Sequence, residues 1–203
     1  MKNFYFSKFN FLLEDINQEH KVAVIPGSFK PPHKGHYAMI KHYSDLVGPR
    51  GNVIVYVSKP SPKSQRKTKD GKVITPEVAK AILDIYCSNL PNVQVDITPV
   101  SPVKSCYDIG DKLDSGVLIF GCSKKGDDIK RFNQIKSYIE SRNPNIIVLD
   151  PLTTAVDVTA SEDGIVSATD FRNSLDDPKK IVQFMPDHLN DAAKQKVIQL
   201  LMN

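Results

Sequence analysis

The sequence predicts an α/β fold: a doubly wound, five-stranded parallel sheet with helices on both faces. Three observations lead there. Compact, β-rich runs recur at 22–25, 53–57, 93–97, 117–120 and 146–149. Segments with helical spacing separate them, and strands that alternate with helices build a parallel sheet. Turn residues such as Pro26-Gly27, Gly121 and Asp150-Pro151 punctuate the runs. Right-handed crossovers then place helices on both faces.

The elements follow in order. Residues 1–20 carry Phe4, Phe6, Phe9, Phe11, Leu12, Leu13 and Ile16 with mixed period. They are expected to form an N-terminal extension, part of it a short helix packed on the main domain, residues 21–203. The run 22–25 is β-branched and unbroken by polar residues, as a strand buried on both faces requires. Tyr37, Met39, Ile40 and Tyr43 share helical spacing, and Gly48-Pro49 ends that helix. After the second strand comes a long loop, 58–74, rich in Pro, Ser and Lys. Thr75 caps the next helix with Pro76 at its first position, and Val78, Ile82, Ile85 and Tyr86 line one face. Weaker helical spacing near 106–114 precedes the fourth strand. Residues 127–142 are helical in pattern, and 169–175, 178–184 and 187–202 form C-terminal helices, the last two beyond about residue 176.

Composition sets limits. The chain has 203 residues, 40% hydrophobic and 25% charged, enough for a full core without staples. No apolar run approaches the roughly 20 residues of a membrane span. The N-terminus lacks the pattern of a secretory signal. Cys87, Cys106 and Cys122 are widely spaced and contain no CxxC, which suits reduced thiols in a cytoplasmic protein. The net charge of +4 is too small for a dedicated nucleic-acid binder. Yet Lys59, Lys63, Arg66, Lys67, Lys69 and Lys72 crowd one stretch. That stretch is either a lid that meets a phosphate-rich ligand or a solvated loop.

In a doubly wound fold the ligand sits at the carboxyl ends of the strands. After the first strand stands Gly27-Ser28-Phe29-Lys30-Pro31-Pro32-His33-Lys34-Gly35-His36. Gly27 permits a tight turn. Amide groups around Ser28 and Phe29 can face an anion. His33 and His36 straddle a helix start, where the dipole favours negative charge. Gly35 between them leaves room for a phosphate or base. A zinc site would need a third ligand, and none falls at a suitable spacing. Far downstream, Ser167 and Thr169 open another helix, with Arg172 on its first turn. Hydroxyls, free amides and a guanidinium there suit phosphate oxygens. Lys59 follows the second strand directly. Gly121 and Lys124 follow the fourth, with Arg131 beyond. Cys122 reads as a small filler.

The first segment resembles the signature of the HIGH-motif nucleotidyltransferases, G-[ST]-F-x-P-x-H-x-G-H. It matches at Gly27, Ser28, Phe29, Pro31, His33, Gly35 and His36. Many members have Asp where this chain has Lys30. The segment Val166-Ser167-Ala168-Thr169-Asp170-Phe171-Arg172 is similar to the I-S-[ST]-[ST]-x-[IL]-R motif, with Ala168 lacking one hydroxyl. The resemblance covers residues 21–175 and implies a Rossmann-like domain. It implies transfer of a nucleoside monophosphate, AMP from ATP first and CMP from CTP second, to a phosphorylated small-molecule acceptor, with pyrophosphate released. It implies that His33 and His36 donate to α/β-phosphate oxygens and that Ser167, Thr169 and Arg172 hold the β- and γ-phosphates. Lys59 would steer the acceptor phosphate. Gly27, Ser28, Phe29, Gly35, Gly121 and Lys124 would surround the nucleotide, and Mg²⁺ would bridge the triphosphate. A nucleotide-binding relative without turnover is the non-enzyme alternative. A tRNA synthetase would need a KMSKS-like loop and more chain. The apolar extension offers an interface for a homo-oligomer.

Overall fold

Strand β1 (Lys21–Gly27) runs through the middle of the sheet. β2 (Asn52–Val57) and β3 (Val93–Ile97) lie to one side of it, and β4 (Gly116–Phe120) and β5 (Ile146–Val148) to the other. The order is β3-β2-β1-β4-β5, and every pair is parallel. Helices α1 (Lys34–Val47) and α2 (Pro76–Tyr86) join the first three strands. Helices α3 (Pro102–Gly110) and α4 (Asp128–Arg142) join the last three. The short helices α5 (Pro151–Thr154), α6 (Ala168–Asn173) and α7 (Pro178–Val182) and the longer α8 (Asp191–Met202) follow. This computed structural model describes residues 21–59, 65, 67, 68, 71–124, 127–157 and 168–202. The N-terminal extension lies outside them.

The strand runs are apolar throughout because both faces of the sheet are covered. Ala23 and Ile25 of β1 pack with Ile40 and Tyr43 of α1 and Ile82 and Leu83 of α2. Val22 and Val24 pack on the other face with Cys106 and Ile109 of α3 and Ile135 and Ile139 of α4. The chain changes face after β3, so the strand order reverses beside β1. In sheets of this kind ligands bind beside the switch point, here at the carboxyl ends of β1 and β4. Phe171, Ile181, Met185, Leu189, Val197 and Leu201 are buried in the α1–α2 core, so the C-terminal helices complete that layer.

Element boundaries moved where capping chemistry had gone unread. Helix α3 starts at Pro102, four residues before the expected 106. Ser101 accepts from the Lys104 amide at 3.1 Å and Pro102 takes the first turn, the same Ser/Thr-Pro device that opens α2. Asp150-Pro151 does more than close β5. The Asp150 carboxylate accepts from the Leu152 amide at 2.8 Å and starts α5. Helix α8 begins at Asp191 and not at 187, because Asn190 accepts from the Ala193 amide at 2.9 Å. Among the described residues no helix is long and apolar enough to cross a membrane.

One side chain ties α1 to the far end of β4. The buried Tyr43 hydroxyl accepts from the Cys122 amide at 3.1 Å and donates to the Thr154 carbonyl at 2.8 Å. A Tyr43→Phe variant leaves both groups short of a partner. It should lose about 1–3 kcal/mol of stability, measured by urea unfolding; an unchanged midpoint would show that the hydroxyl is dispensable.

Candidate active site

The site begins where β1 ends. The Ser58 amide donates to the Gly27 carbonyl at 2.8 Å, carrying the β1–β2 ladder one step past the strands. Phe29 then adopts φ 51°, the left-handed region that residues with a Cβ enter at some cost. This bend folds its ring back over Gly27, and a Cβ on Gly27 would stand 2.6 Å from that ring. The Gly35 Cβ position lies 3.1 Å from the His33 ring. Gly121 would drive a Cβ to 2.6 Å from Ile25 and 3.0 Å from Tyr43. The structure thus gives all three glycines a packing reason. A side chain at Gly27 would meet the Phe29 ring, and one at Gly35 would crowd the His33 ring.

His33 caps α1 with extended backbone, and His36 is its third residue. The His33 amide donates to Nδ1 of His36 at 3.2 Å. An accepting Nδ1 leaves the proton of the neutral ring on Nε2. The two rings lie 3.7 Å apart, and Phe29 meets His36 edge-on at 5.0 Å. His33 is buried, and its Nδ1 has no hydrogen-bond partner. Burial pushes the His33 pKa down to about 4. Burial, and then His33 itself, push His36 well below the ordinary imidazole value. Both rings are therefore neutral at pH 7, and His36 carries its one N–H at Nε2.

The second motif closes on the first. Arg172 donates to the Lys30 carbonyl at 2.7 Å and to the Thr169 hydroxyl at 2.8 Å. Phe171 seats α6 by burying its ring, stacked 4.7 Å from Phe184. The Phe184 carbonyl in turn accepts the Lys34 amide at 2.7 Å, at the first turn of α1. Val166 and Ser167 lie outside the described residues.

The β2 end adds the other half. The Ser28 and Ser58 hydroxyls meet at 3.3 Å. Lys59 is exposed beside them. Glu77 stands on the first turn of α2. Its carboxyl is held low by its own amide and the Thr75 hydroxyl, with help from Lys59 and Lys30. Lys30 itself was noted only as a departure from a pattern. It is 2% exposed, and its ammonium donates to the Ser58 carbonyl at 3.1 Å. Nothing in its sequence context signalled burial.

Other candidates sit elsewhere on this edge. Lys124 is exposed after β4, its amide on the Val156 carbonyl at 3.0 Å. Arg131 pairs with Asp128 at 2.8 Å on the open face of α4. Burial, and then Asp128, push the Cys122 thiol up to about 11, which leaves it uncharged and a poor nucleophile. In the basic loop, Lys67 bridges Val73, and Lys72 donates to the Leu201 carbonyl at the end of α8. Lys63, Arg66 and Lys69 lie outside the described residues. A cleft also opens at the opposite ends of the strands, near Asp45, Asn52 and Asn92. Asn92 there is already bonded to Ser44 and Gly48, whereas the histidine edge holds an unpaired buried nitrogen.

The family model described as cytidylyltransferase-like matches residues 24–174. The chain belongs to the cytidylyltransferase-like family. The match starts inside β1 and stops just after α6, so it spans both motifs and excludes α7 and α8. It makes the protein a nucleotidyltransferase with a nucleotide substrate. No curated protein matches this cytidylyltransferase-like chain.

The neutral histidines make stability depend on pH. The unfolded His33 ring titrates near 6.5 and the folded ring near 4. Between those values the unfolded chain binds more protons, so stability is whole above 6.5 and falls as pH drops toward 4. The loss for His33 should reach ~3 kcal/mol. Urea midpoints from pH 7 to pH 4 should show it. His33→Asn should make the curve shallower, the remaining slope belonging to His36, and substitution of both histidines by Asn should flatten it. A slope unchanged by His33→Asn would place the titration elsewhere.

Proposed function

We propose that this nucleotidyltransferase transfers AMP from ATP to a phosphorylated small-molecule acceptor. An oxygen of the acceptor phosphate attacks the α-phosphorus in line. The new P–O bond forms as the bond to the bridging oxygen breaks, and pyrophosphate leaves with that electron pair. A phosphate monoester is a competent nucleophile at neutral pH, so no covalent enzyme intermediate is needed. The work left to the protein is positioning and charge stabilisation.

The observation that carries this reading is the pair of neutral imidazoles at the β1 edge, His33 buried and His36 half-buried, with the second motif clamped to the same loop. Nε2–H of His36 would donate to an α/β-bridging or α-phosphate oxygen as charge builds there, with His33 beside it. Such donors cost little to bury before the ligand arrives, because they carry no charge. Thr169 and Arg172 would reach the β- and γ-phosphates, with Ser167 from the segment before α6. Lys59 would draw in the acceptor phosphate, and Lys124 the outer phosphates.

Magnesium fits as the partner of the triphosphate. The donor set of His33, His36, Thr169, Arg172 and Lys59 is rich in N–H and hydroxyl groups and holds no carboxylate, so the nucleotide's own oxygens would carry the ion. Bound there, it neutralises charge on the phosphates. CTP is the second reading, favoured by the description of the matched family.

The test is pyrophosphate release with each ribonucleoside triphosphate and Mg²⁺ against a panel of phosphorylated acceptors. One pair should react, with ATP as donor. Loss of an oxyanion donor typically costs on the order of 10²–10³ in rate, and His36→Ala should lose at least that much. Turnover near wild type in that variant would overturn the assignment. Triphosphate binding with no release for any acceptor would favour a non-catalytic relative.

A further inference from the structure

We infer that Lys30 is a specificity-determining residue: a buried positive charge under the β1–β2 edge that makes the site select an acceptor carrying a phosphate group. The inference rests on the proposed nucleotidyl transfer and adds to it a residue for which the matched motif has no fixed role.

The observation is a buried cation with too few partners. Lys30 is 2% exposed. Its ammonium has three N–H donors and makes one hydrogen bond, to the Ser58 carbonyl at 3.1 Å. Among the described residues no carboxylate forms an ion pair with it; Glu77 acts on it only through its field. Desolvation lowers its pKa, which is the mark of a charge held in poor surroundings. Buried lysines of this kind are rare unless paired, and a hydrophobic residue of similar length would serve packing better.

Its place explains the charge. Ser58 immediately precedes Lys59, and the Ser28 and Ser58 hydroxyls meet at 3.3 Å. The Lys30 backbone is fixed at the same time, its carbonyl held by Arg172 at 2.7 Å. The ammonium is held on the Ser58 carbonyl, one residue past the end of β2. A charge surrounded by protein is screened less than one in water. Its field emerges at the Ser28–Ser58 edge, one residue from the exposed ammonium of Lys59. Two lysines, one in the floor and one at the rim, make that edge a place for a phosphate dianion. Glu77 faces them both from α2 and holds the field in check while the edge is empty. Lys30 acts through the floor and not by contact, which makes it a positioning charge for the acceptor.

Inorganic phosphate is the probe, titrated by calorimetry onto protein saturated with a non-hydrolysable α,β-methylene analogue of ATP or CTP. The analogue fills the nucleotide's own phosphate positions, so added phosphate reports the acceptor's. Wild type should bind one analogue and then phosphate. Lys30→Met should bind the analogue as wild type does and phosphate at least tenfold more weakly. Ligand-free Lys30→Met should also melt higher than wild type, because it has lost a buried charge. Lys30→Arg, which keeps the charge, should keep more phosphate affinity than Lys30→Met. Phosphate affinity unchanged in Lys30→Met, or lost equally in both variants, would make Lys30 a strut for the Ser58 carbonyl and overturn the inference. So would a wild type that binds the analogue and no phosphate. A wild type that binds neither analogue would overturn nucleotidyl transfer itself, and the role of Lys30 with it.

Discussion

The guanidinium of Arg172 meets the carbonyl of Lys30 across 142 positions of chain. The distance is 2.7 Å, and the rest of the site is arranged around that contact. It ties the loop after β1 to α6. The bend at Phe29, the cap at His33 and the buried side chain of Lys30 all hang from this loop. Closing so long a segment costs only modestly more entropy than closing a short one. The fold supplies the return through burial: Phe171 goes fully into the core, stacked on Phe184, and brings α6 to the switch point.

The electrostatics of the edge divide into two parts. At the end of β1 the histidines are uncharged, His33 buried and His36 half-buried, and the His33 amide holds the His36 ring through Nδ1. On the β2 side the groups are cationic, with Glu77 among them. Neutral donors suit a position where charge develops during reaction, since they need no counter-ion beforehand. Fixed cations suit a position where a charged group must be recruited. A nucleotidyltransferase needs both, on neighbouring strand ends. The parallel pairing of β1 with β2 sets the two kinds of group on neighbouring strand ends.

Much of this was legible in the residues. Parallel strands buried on both faces must be apolar at successive positions, and 22–25, 53–57 and 117–120 are. Thr75-Pro76 announced α2. The same chemistry at Ser101-Pro102 was passed over because the apolar spacing after it is weak, and α3 was placed four residues late. The histidines were found from their motif, and their neutrality was not, because it comes from burial that only packing reveals. Glycines proved the hardest to read. A sequence shows that a Cβ is missing, yet not what stands in its place. At Gly27 and Gly35 the occupant is the protein's own ring. Lys30 was invisible for a related reason, since lysines are exposed by default and only the Ser58 carbonyl and the closed loop show this one to be an exception.

The Phe184 carbonyl on the Lys34 amide has a dynamic consequence. That amide belongs to the first turn of the helix that carries both histidines, and its partner comes from beyond the matched family region. Amides at helix starts have no partner within their own helix and exchange readily with solvent unless something outside covers them. The exchange rate of this single proton therefore reports whether the C-terminal layer is docked. Fraying of α7 and α8 would be felt at the histidine edge as a loosened helix origin, long before the sheet itself began to open.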